Sequence, residues 1–348
     1  MNDSITIKDI AKLAKVSQST VSKALNDRPD VGLKTKKSIL KIVEQYNFIP
    51  NAYGKALKTR FTENIGVIFR RDDNPLSSNP FYSRVLEGIE AELAFNDYNL
   101  VLHLVPEHKI PVLPKMVRQK QVDAVVLVGI KHEAFVRQLQ QANLPVILVD
   151  PKTDIPDCPQ VLIDNENGAF LATQHLIQCG HKRIGFISGE LSRLSFKQRL
   201  DGYIKALRYY NIPVEEELIK TGGVEAGYDL TKSLLMLSHR PTAIFAANDI
   251  NAIYGYKAIN EFNLRIPDDI SVVGFDDIHL SKMATPPLTT VRVYKEELGS
   301  VAVRHLRQMI YEGSKGYLTT IIPVKLIKRS SVKNISTPAP ESSLPHER

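Results

Sequence analysis

Only two cysteines, Cys158 and Cys179, occur among 348 residues. Two thiols make neither a disulfide framework nor a zinc site, so both are expected to be reduced, as in cytosol. No uncharged apolar run reaches the roughly 18 residues of a spanning helix, so no membrane partner is expected. The N-terminus lacks an apolar stretch behind a basic start, and no secretory signal is expected there. Motifs that carry common chemistry are missing too. There is no GxxxxGK[ST] phosphate loop, no GxSxG and no HExxH, and the nine histidines are scattered without metal-ligand spacing. No cofactor is implied.

Charge is unevenly distributed. The net charge is +7, and residues 1–60 hold 12 Lys/Arg against 5 Asp/Glu. The remaining chain is balanced, with 33 residues of each sign. A basic surface spread over the whole protein would only solubilise it. An excess confined to one short segment is what neutralising a phosphate backbone requires.

Within that segment, VSQSTVSKALN (16–26) reads as a recognition helix. Ser17 suits the N-cap, since its hydroxyl can accept from a free N–H of the first turn. Val21 and Leu25, four apart, share one face. Gln18, Ser19, Ser22 and Lys23 remain on the other, short or basic enough to reach base edges or phosphates. In TIKDIAKLA, Thr6 and Asp9 have capping-box spacing, and Ile7, Ile10, Leu13 and Ala14 form an apolar face. Two short helices around Ala14-Lys15-Val16 fit helix–turn–helix geometry, though also an ordinary small bundle. A third helix is expected over 34–47, with Ile39, Ile42, Val43 and Tyr46 inward. Next comes IPNAYGKALK (49–58), in which Pro50 suits a first helical turn and Gly54 costs about 1 kcal/mol relative to Ala. A helix this short should not form alone.

The order TIKDIAKLAKVSQSTVSKALN, a third helix, YNFIPNAYGKALK and ENIGVIF resembles the lactose/galactose repressor (LacI/GalR) family of bacterial transcription regulators, over nearly the whole chain. The resemblance implies a cytoplasmic homodimer on pseudo-palindromic double-stranded operator DNA. It implies DNA contacts from Thr6, Ser17, Gln18, Ser19, Thr20, Lys23, Asn26, Asn51, Lys55 and Leu57. In the family the hinge helix forms only on the operator, where a Leu wedges into a minor-groove step; Leu57 matches it, and is otherwise an apolar linker residue. The family's frequent Ser is Gly32 here, which puts one hydroxyl–phosphate contact in question.

From Asn64 onward, short apolar runs alternate with amphipathic helices, from IGVIF (65–69) to ISVVGFDD (270–277). This alternation indicates doubly wound parallel sheets, and there are too many strands for one of them. With what the resemblance implies, the expected architecture is an all-α helix–turn–helix head (1–49), a hinge helix and linker (50–63) and an α/β core of the family's periplasmic-binding-protein type (64–330). Lobe one would hold about 64–162 and 291–322, and lobe two about 163–290 and 323–330, joined near 162–165, 288–293 and 320–325. The run at 289–293 is expected to return to the first sheet. The Pro/Ser-rich tail 331–348 is expected to be disordered. It lacks leucine heptads, so a dimer rather than a tetramer is expected.

Open parallel sheets bind ligands beyond the carboxyl ends of their strands. Asp150, Asn248 and Asp276 stand at such ends, and Arg199 lies one turn into a helix that follows a strand. Asp249 and Asp277 read as helix and loop caps. Asp150 also suits a strand-end turn, and Arg199 a surface ion pair. Through SRLSFKQRLDGY, VGFDD and the Asn before Asp249, the resemblance matches Arg199, Asp276 and Asn248 to effector-binding positions. Arg193 and Ser195 lie in the preceding variable loop, where specificity would be set. Phe81 and Tyr82 either stack on a sugar face or simply pack. The function that follows is a repressor of carbohydrate-utilisation genes controlled by a small sugar. Alternatives are a family member answering to a phosphorylated carrier protein, a solute-binding import protein, or a sugar-processing enzyme. The basic head and missing signal peptide argue against import.

Overall fold

The computed structural model describes residues 5–25, 27–48, 61–71, 76–106, 112–223, 226–313 and 318–336. The chain divides into two compact units that meet between Thr62 and Glu63.

In the first unit, α1 (Ile7–Ala14), α2 (Gln18–Leu25) and α3 (Leu33–Gln45) surround a small core of Ile10, Ala11, Val21, Ala24, Val31 and Ile39. Lys15 ends α1 in the left-handed region, at φ 54°, and this reverses the chain within three residues of α2. Two expected core positions face out instead: Leu13 is 48% exposed and Tyr46 46% exposed. A helix this short turns only one narrow stripe toward its neighbours. Ile10 and Ala11 fill it on α1 and Ile39 on α3, with Ile42 and Val43 packed at the margin.

The second unit contains two six-stranded sheets. The first runs β11 (Thr319–Ile322), β5 (Gln160–Ile163), β4 (Val146–Val149), β3 (Ala124–Val128), β1 (Asn64–Arg71) and β2 (Asn99–Pro106), all parallel. The second runs β12 (Lys325–Ile327), β10 (Thr289–Arg292), β9 (Ser271–Asp276), β8 (Ala243–Ala246), β6 (Ile184–Ser188) and β7 (Ile219–Thr221), with β12 antiparallel at its edge. β3, β4, β6, β8 and β9 are buried at every residue. This is the continuous apolar reading of strands covered on both faces.

Helices α4 (Tyr82–Phe95), α5 (Lys115–Arg118), α6 (Glu133–Gln141) and α12 (Lys295–Glu312) clothe the first sheet. Helices α7 (Asn165–Gln178), α8 (Leu194–Tyr209), α9 (Gly227–Leu235) and α10 (Asp249–Glu261) clothe the second, and the short α11 (His279–Met283) follows β9. The chain crosses between the lobes after β5, after β10 and between β11 and β12. The expected return of 289–293 to the first sheet is therefore corrected. β10 pairs with β9, from Thr289 opposite Val273 to Arg292 opposite Asp276.

The expected disorder from residue 331 is also corrected. Ser331 is fully buried; its hydroxyl donates to the Val272 carbonyl at 2.6 Å and accepts from the Thr289 amide at 2.8 Å. His181 lies at 3.1 Å from the Lys333 carbonyl through Nε2 and at 2.9 Å from Thr242 Oγ1 through Nδ1. A carbonyl only accepts, so Nε2 carries the proton and the threonine donates to Nδ1. Ile335 N donates to the Cys179 carbonyl at 2.8 Å. Polar composition does not leave this strap loose, because its hydroxyls and amides complete the end of the second sheet. Residues 337–348 of the expected tail lie outside the described residues.

Candidate nucleic-acid interface and ligand cleft

On the head, the expected cap of α2 is formed. Ser17 Oγ accepts from the Thr20 amide at 3.1 Å and lies 2.7 Å from Ser19 Oγ and 2.8 Å from Thr20 Oγ1. At the start of α1, the Thr6 amide donates to Asp9 Oδ2 at 3.1 Å, and the Thr6 hydroxyl lies 2.5 Å from the same oxygen. These bonds hold the Asp9 carboxyl below its ordinary value. Gln18, Ser19 and Lys23 are exposed on one face of α2, while Val21 and Ala24 are buried on the other. Thr6 and Ser17 are exposed as well, and Thr20 is half-buried. Lys23 forms an ion pair with Asp30, and Lys36 one with Asp27. Asn26, Asn51, Lys55 and Leu57 lie outside the described residues.

The cleft residues come from both lobes. Asp150 follows β4 in a left-handed conformation, φ 46°, and accepts from the Tyr82 hydroxyl at 2.9 Å. Phe81 packs edge-on against Tyr82, with centroids 5.2 Å apart, and Asn79 Oδ1 accepts from the Tyr82 amide at 2.9 Å. Tyr82 thus contacts the cleft carboxylate while Phe81 supports its ring. In lobe two, Arg199 is buried and reaches in three directions. Its Nη2 lies 3.2 Å from Asp276 Oδ1, its Nε donates to Asn165 Oδ1 at 2.9 Å and its Nη1 donates to the Ala247 carbonyl at 2.5 Å. The guanidinium also sits 3.8 Å from the centroid of Phe275, a desolvated cation–π contact. The surface ion-pair reading of Arg199 does not hold.

Burial pushes the carboxyl groups of Asp150 and Asp276 above the ordinary value, and Asp150 adds repulsion at Asp276. Arg199 pulls both back, helped by Tyr82 at Asp150 and by Lys295 at Asp276. One carboxyl from each lobe therefore feels the Arg199 charge, Asp276 through a direct ion pair.

Two expected caps are reassigned. Asn248, not Asp249, caps α10, with Oδ1 accepting from the Asn251 amide at 2.7 Å. Asp249 is fully buried inside lobe two, accepting from Thr290 Oγ1 at 2.5 Å and from the Ile278 amide at 2.8 Å. Asp277 is bound by Arg292 and Arg329. Arg193 and Ser195 are half-buried at the start of α8. Three residues at the cleft were not singled out from sequence. Asn165 orients Arg199, Lys152 is 6% exposed just beyond Asp150, and Lys295 binds the backbone behind Asp276. For Asn165 there was a signal, since it directly follows the strand-end VLID.

A basic helix–turn–helix head followed by a two-lobed periplasmic-binding core defines a bacterial transcription regulator. Residues 6–51 match the bacterial regulatory proteins of the lacI family, and residues 173–332 match the periplasmic binding protein-like domain. The HTH-type transcriptional repressor PurR of Mannheimia succiniciproducens is 35% identical over 337 residues, 95% of this chain and 99% of that protein. The ribose operon repressor of Haemophilus influenzae is 33% identical over 339 residues, 95% of this chain and 99% of that one. Among solved structures, the Lac repressor dimer bound to operator and the anti-inducer ONPF superposes with a TM-score of 0.84 at 28% identity, covering 94% of this chain and 99% of that chain. A LacI family regulator from Enterococcus faecium with bound ribose gives 0.68 at 27% identity, covering 78% of this chain and 100% of that one. The chain belongs to the LacI family. It is a DNA-binding transcriptional repressor and not an enzyme.

Proposed function

We propose that this repressor acts in the cytoplasm as a homodimer on a pseudo-palindromic operator. Its ligand is a small sugar or sugar derivative held between the lobes, and its targets are carbohydrate-utilisation genes. The observation that carries the reading is the buried ion pair of Arg199 with Asp276 in lobe two, with the Tyr82-bound Asp150 of lobe one as a second carboxylate acceptor. Acceptors from both sides suit a ligand rich in hydroxyl donors. A ligand that satisfies both carboxyls draws the lobes together, and an analogue without those hydroxyls leaves buried groups unpaired. Asn248, with Oδ1 engaged in its cap, would offer Nδ2; Arg193, Ser195, Phe81 and Tyr82 would shape the rim. Ribose in the Enterococcus regulator and the name of the Haemophilus relative support a sugar.

On DNA, Gln18 and Ser19 would read base edges, while Lys23 and Lys55 would meet base or phosphate. Thr6, Ser17, Thr20, Asn26 and Asn51 would fix the docking, and Leu57 would wedge the minor groove at the centre. The ligand can shift operator affinity only by its own preference between two arrangements of the lobes.

The test uses the full chain and an operator selected from random duplexes. Pentoses, hexoses, their acids and free nucleobases are screened for thermal stabilisation and then titrated into the operator complex. At least one sugar should stabilise the core and change operator affinity by about 5- to 150-fold, the ordinary range of coupling. Stabilisation by a nucleobase alone, with every sugar silent, would overturn the sugar reading.

A further inference from the structure

Asp276 has a backbone that needs holding. Its φ is +106° and that of Asp277 is +50°, both in the left-handed region that side-chain-bearing residues avoid. Such conformations persist only where the surroundings over-determine them. Here the loop's backbone is gripped from three elements. Lys295 Nζ donates to the Asp276 carbonyl at 2.5 Å, to the Asp277 carbonyl at 3.4 Å and to the Val293 carbonyl at 3.2 Å. Asp249, on α10, accepts from the Ile278 amide at 2.8 Å. Thr290 Oγ1, on β10, accepts from the Asp277 amide at 3.4 Å. Nothing larger than glycine fits at 274, because a Cβ there would come within 2.2 Å of Asp249 Oδ1.

Of these three grips, Lys295 differs in where it comes from. Asp249 and Thr290 belong to lobe two, like the loop itself. Lys295 opens α12, which packs along α4 and against β3, β4 and β5 of lobe one. It is 6% exposed, and an ammonium that deeply buried is tolerated only with its donors satisfied. The acids around it are Asp276, Asp249, Glu296 and Asp277. The cation thus neutralises the acidic loop of one lobe while being carried on a helix of the other.

We propose that Lys295 is a positioning residue for effector binding: it fixes the backbone that aims Asp276 into the cleft and passes any change in that loop directly to helix α12 of lobe one. This rests on the effector reading of Asp276. A ligand hydrogen-bonded to Asp276 would shift its peptide, and the shift would reach the first turn of α12 through a single ammonium group. By reciprocity, whatever moves α12 alters the ligand site.

The experiment compares Lys295→Met and Lys295→Arg with wild type in the full chain, by hydrogen exchange and by D-ribose and hexose titration. Lys295→Met should speed amide exchange over 276–283 and over the first turn of α12 by about tenfold, leaving β6 and β8 at wild-type rates. It should weaken binding of any sugar that binds wild type by about ten- to a hundredfold, as expected on losing hydrogen bonds from a charged donor. Lys295→Arg should recover most of both effects. Exchange in the loop unchanged by Lys295→Met, or raised equally in β6 and β8, would overturn the proposal. The exchange arm decides this even if neither D-ribose nor a hexose binds wild type, an outcome that bears on the sugar reading and not on Lys295.

Discussion

The head and the cleft of this repressor are built in opposite ways. On the head, the caps and the polar face come from consecutive residues between Thr6 and Lys23, each fixed by a partner no more than three positions away or by its place on one helix. The cleft gathers Tyr82, Asp150, Asn165, Arg199, Asn248 and Asp276 from segments far apart, and all but Asn248, which caps its own helix, are held by side chains from another element. A local surface can be lost one cap at a time. A non-local one fails together when its central cation is removed. The head also keeps its charges in water, whereas the cleft holds them where desolvation decides their state.

The largest test of this contrast is Arg199→Ala. Removing one partner of a buried ion pair typically costs about 3–5 kcal/mol, because the other charge stays behind unpaired. Calorimetry of the full chain should show the core transition falling by that order, the sugar response lost and the head transition unmoved. A head that melts earlier in this variant would break the separation.

Ser17→Ala comes next. Loss of an N-cap hydroxyl costs about 1 kcal/mol. The head transition should drop and operator binding weaken, with the core transition and sugar-induced stabilisation unchanged.

The smallest effect is a difference in the sign of pH dependence. Asp9 is held below its ordinary value of 3.8, so its contribution is present above that value and fades as pH falls through the folded pKa. Asp276 is raised above 3.8, so the native state binds its proton more tightly than the unfolded chain does. Its contribution therefore declines as pH rises from 3.8 through the folded pKa. Melting curves from about pH 7 to about pH 3, wild type minus variant, should slope one way for Asp9→Asn in the head and the other for Asp276→Asn in the core. Equal signs would contradict the burial assigned to Asp276.

The contrast also accounts for what could be read from sequence. The capping pairs, the apolar strands such as Ala124–Val128, and the polar residues that end β4, β8 and β9 are marked by neighbours in the chain, and all are found in the structure. Periodicity names an apolar face without saying what covers it, so Leu13 and Tyr46 were expected inside and are exposed. β10 carries no local mark of which sheet it joins, and β7 is three partly exposed residues without an apolar run. Asn165 and Lys295 act on partners 34 and 19 positions away, and nothing in their own surroundings announces those bonds. Ser331 is polar yet fully buried, because the sheet offers its hydroxyl both an acceptor and a donor.

The ion pair between Lys23 and Asp30 has a consequence for how the head meets DNA. A lysine that reaches a phosphate from water lets a condensed counterion go, and each such release steepens the fall of affinity with salt. Lys23 starts with a carboxylate already beside it, so docking exchanges one anion for another and leaves Asp30 to collect a cation from solution. The head should therefore show a shallower salt dependence than its count of lysines suggests. Asp30→Asn should steepen the slope of log K against log salt by up to about 0.9, the yield of one phosphate contact. An unchanged slope would mean that Lys23 keeps its carboxylate partner on the operator.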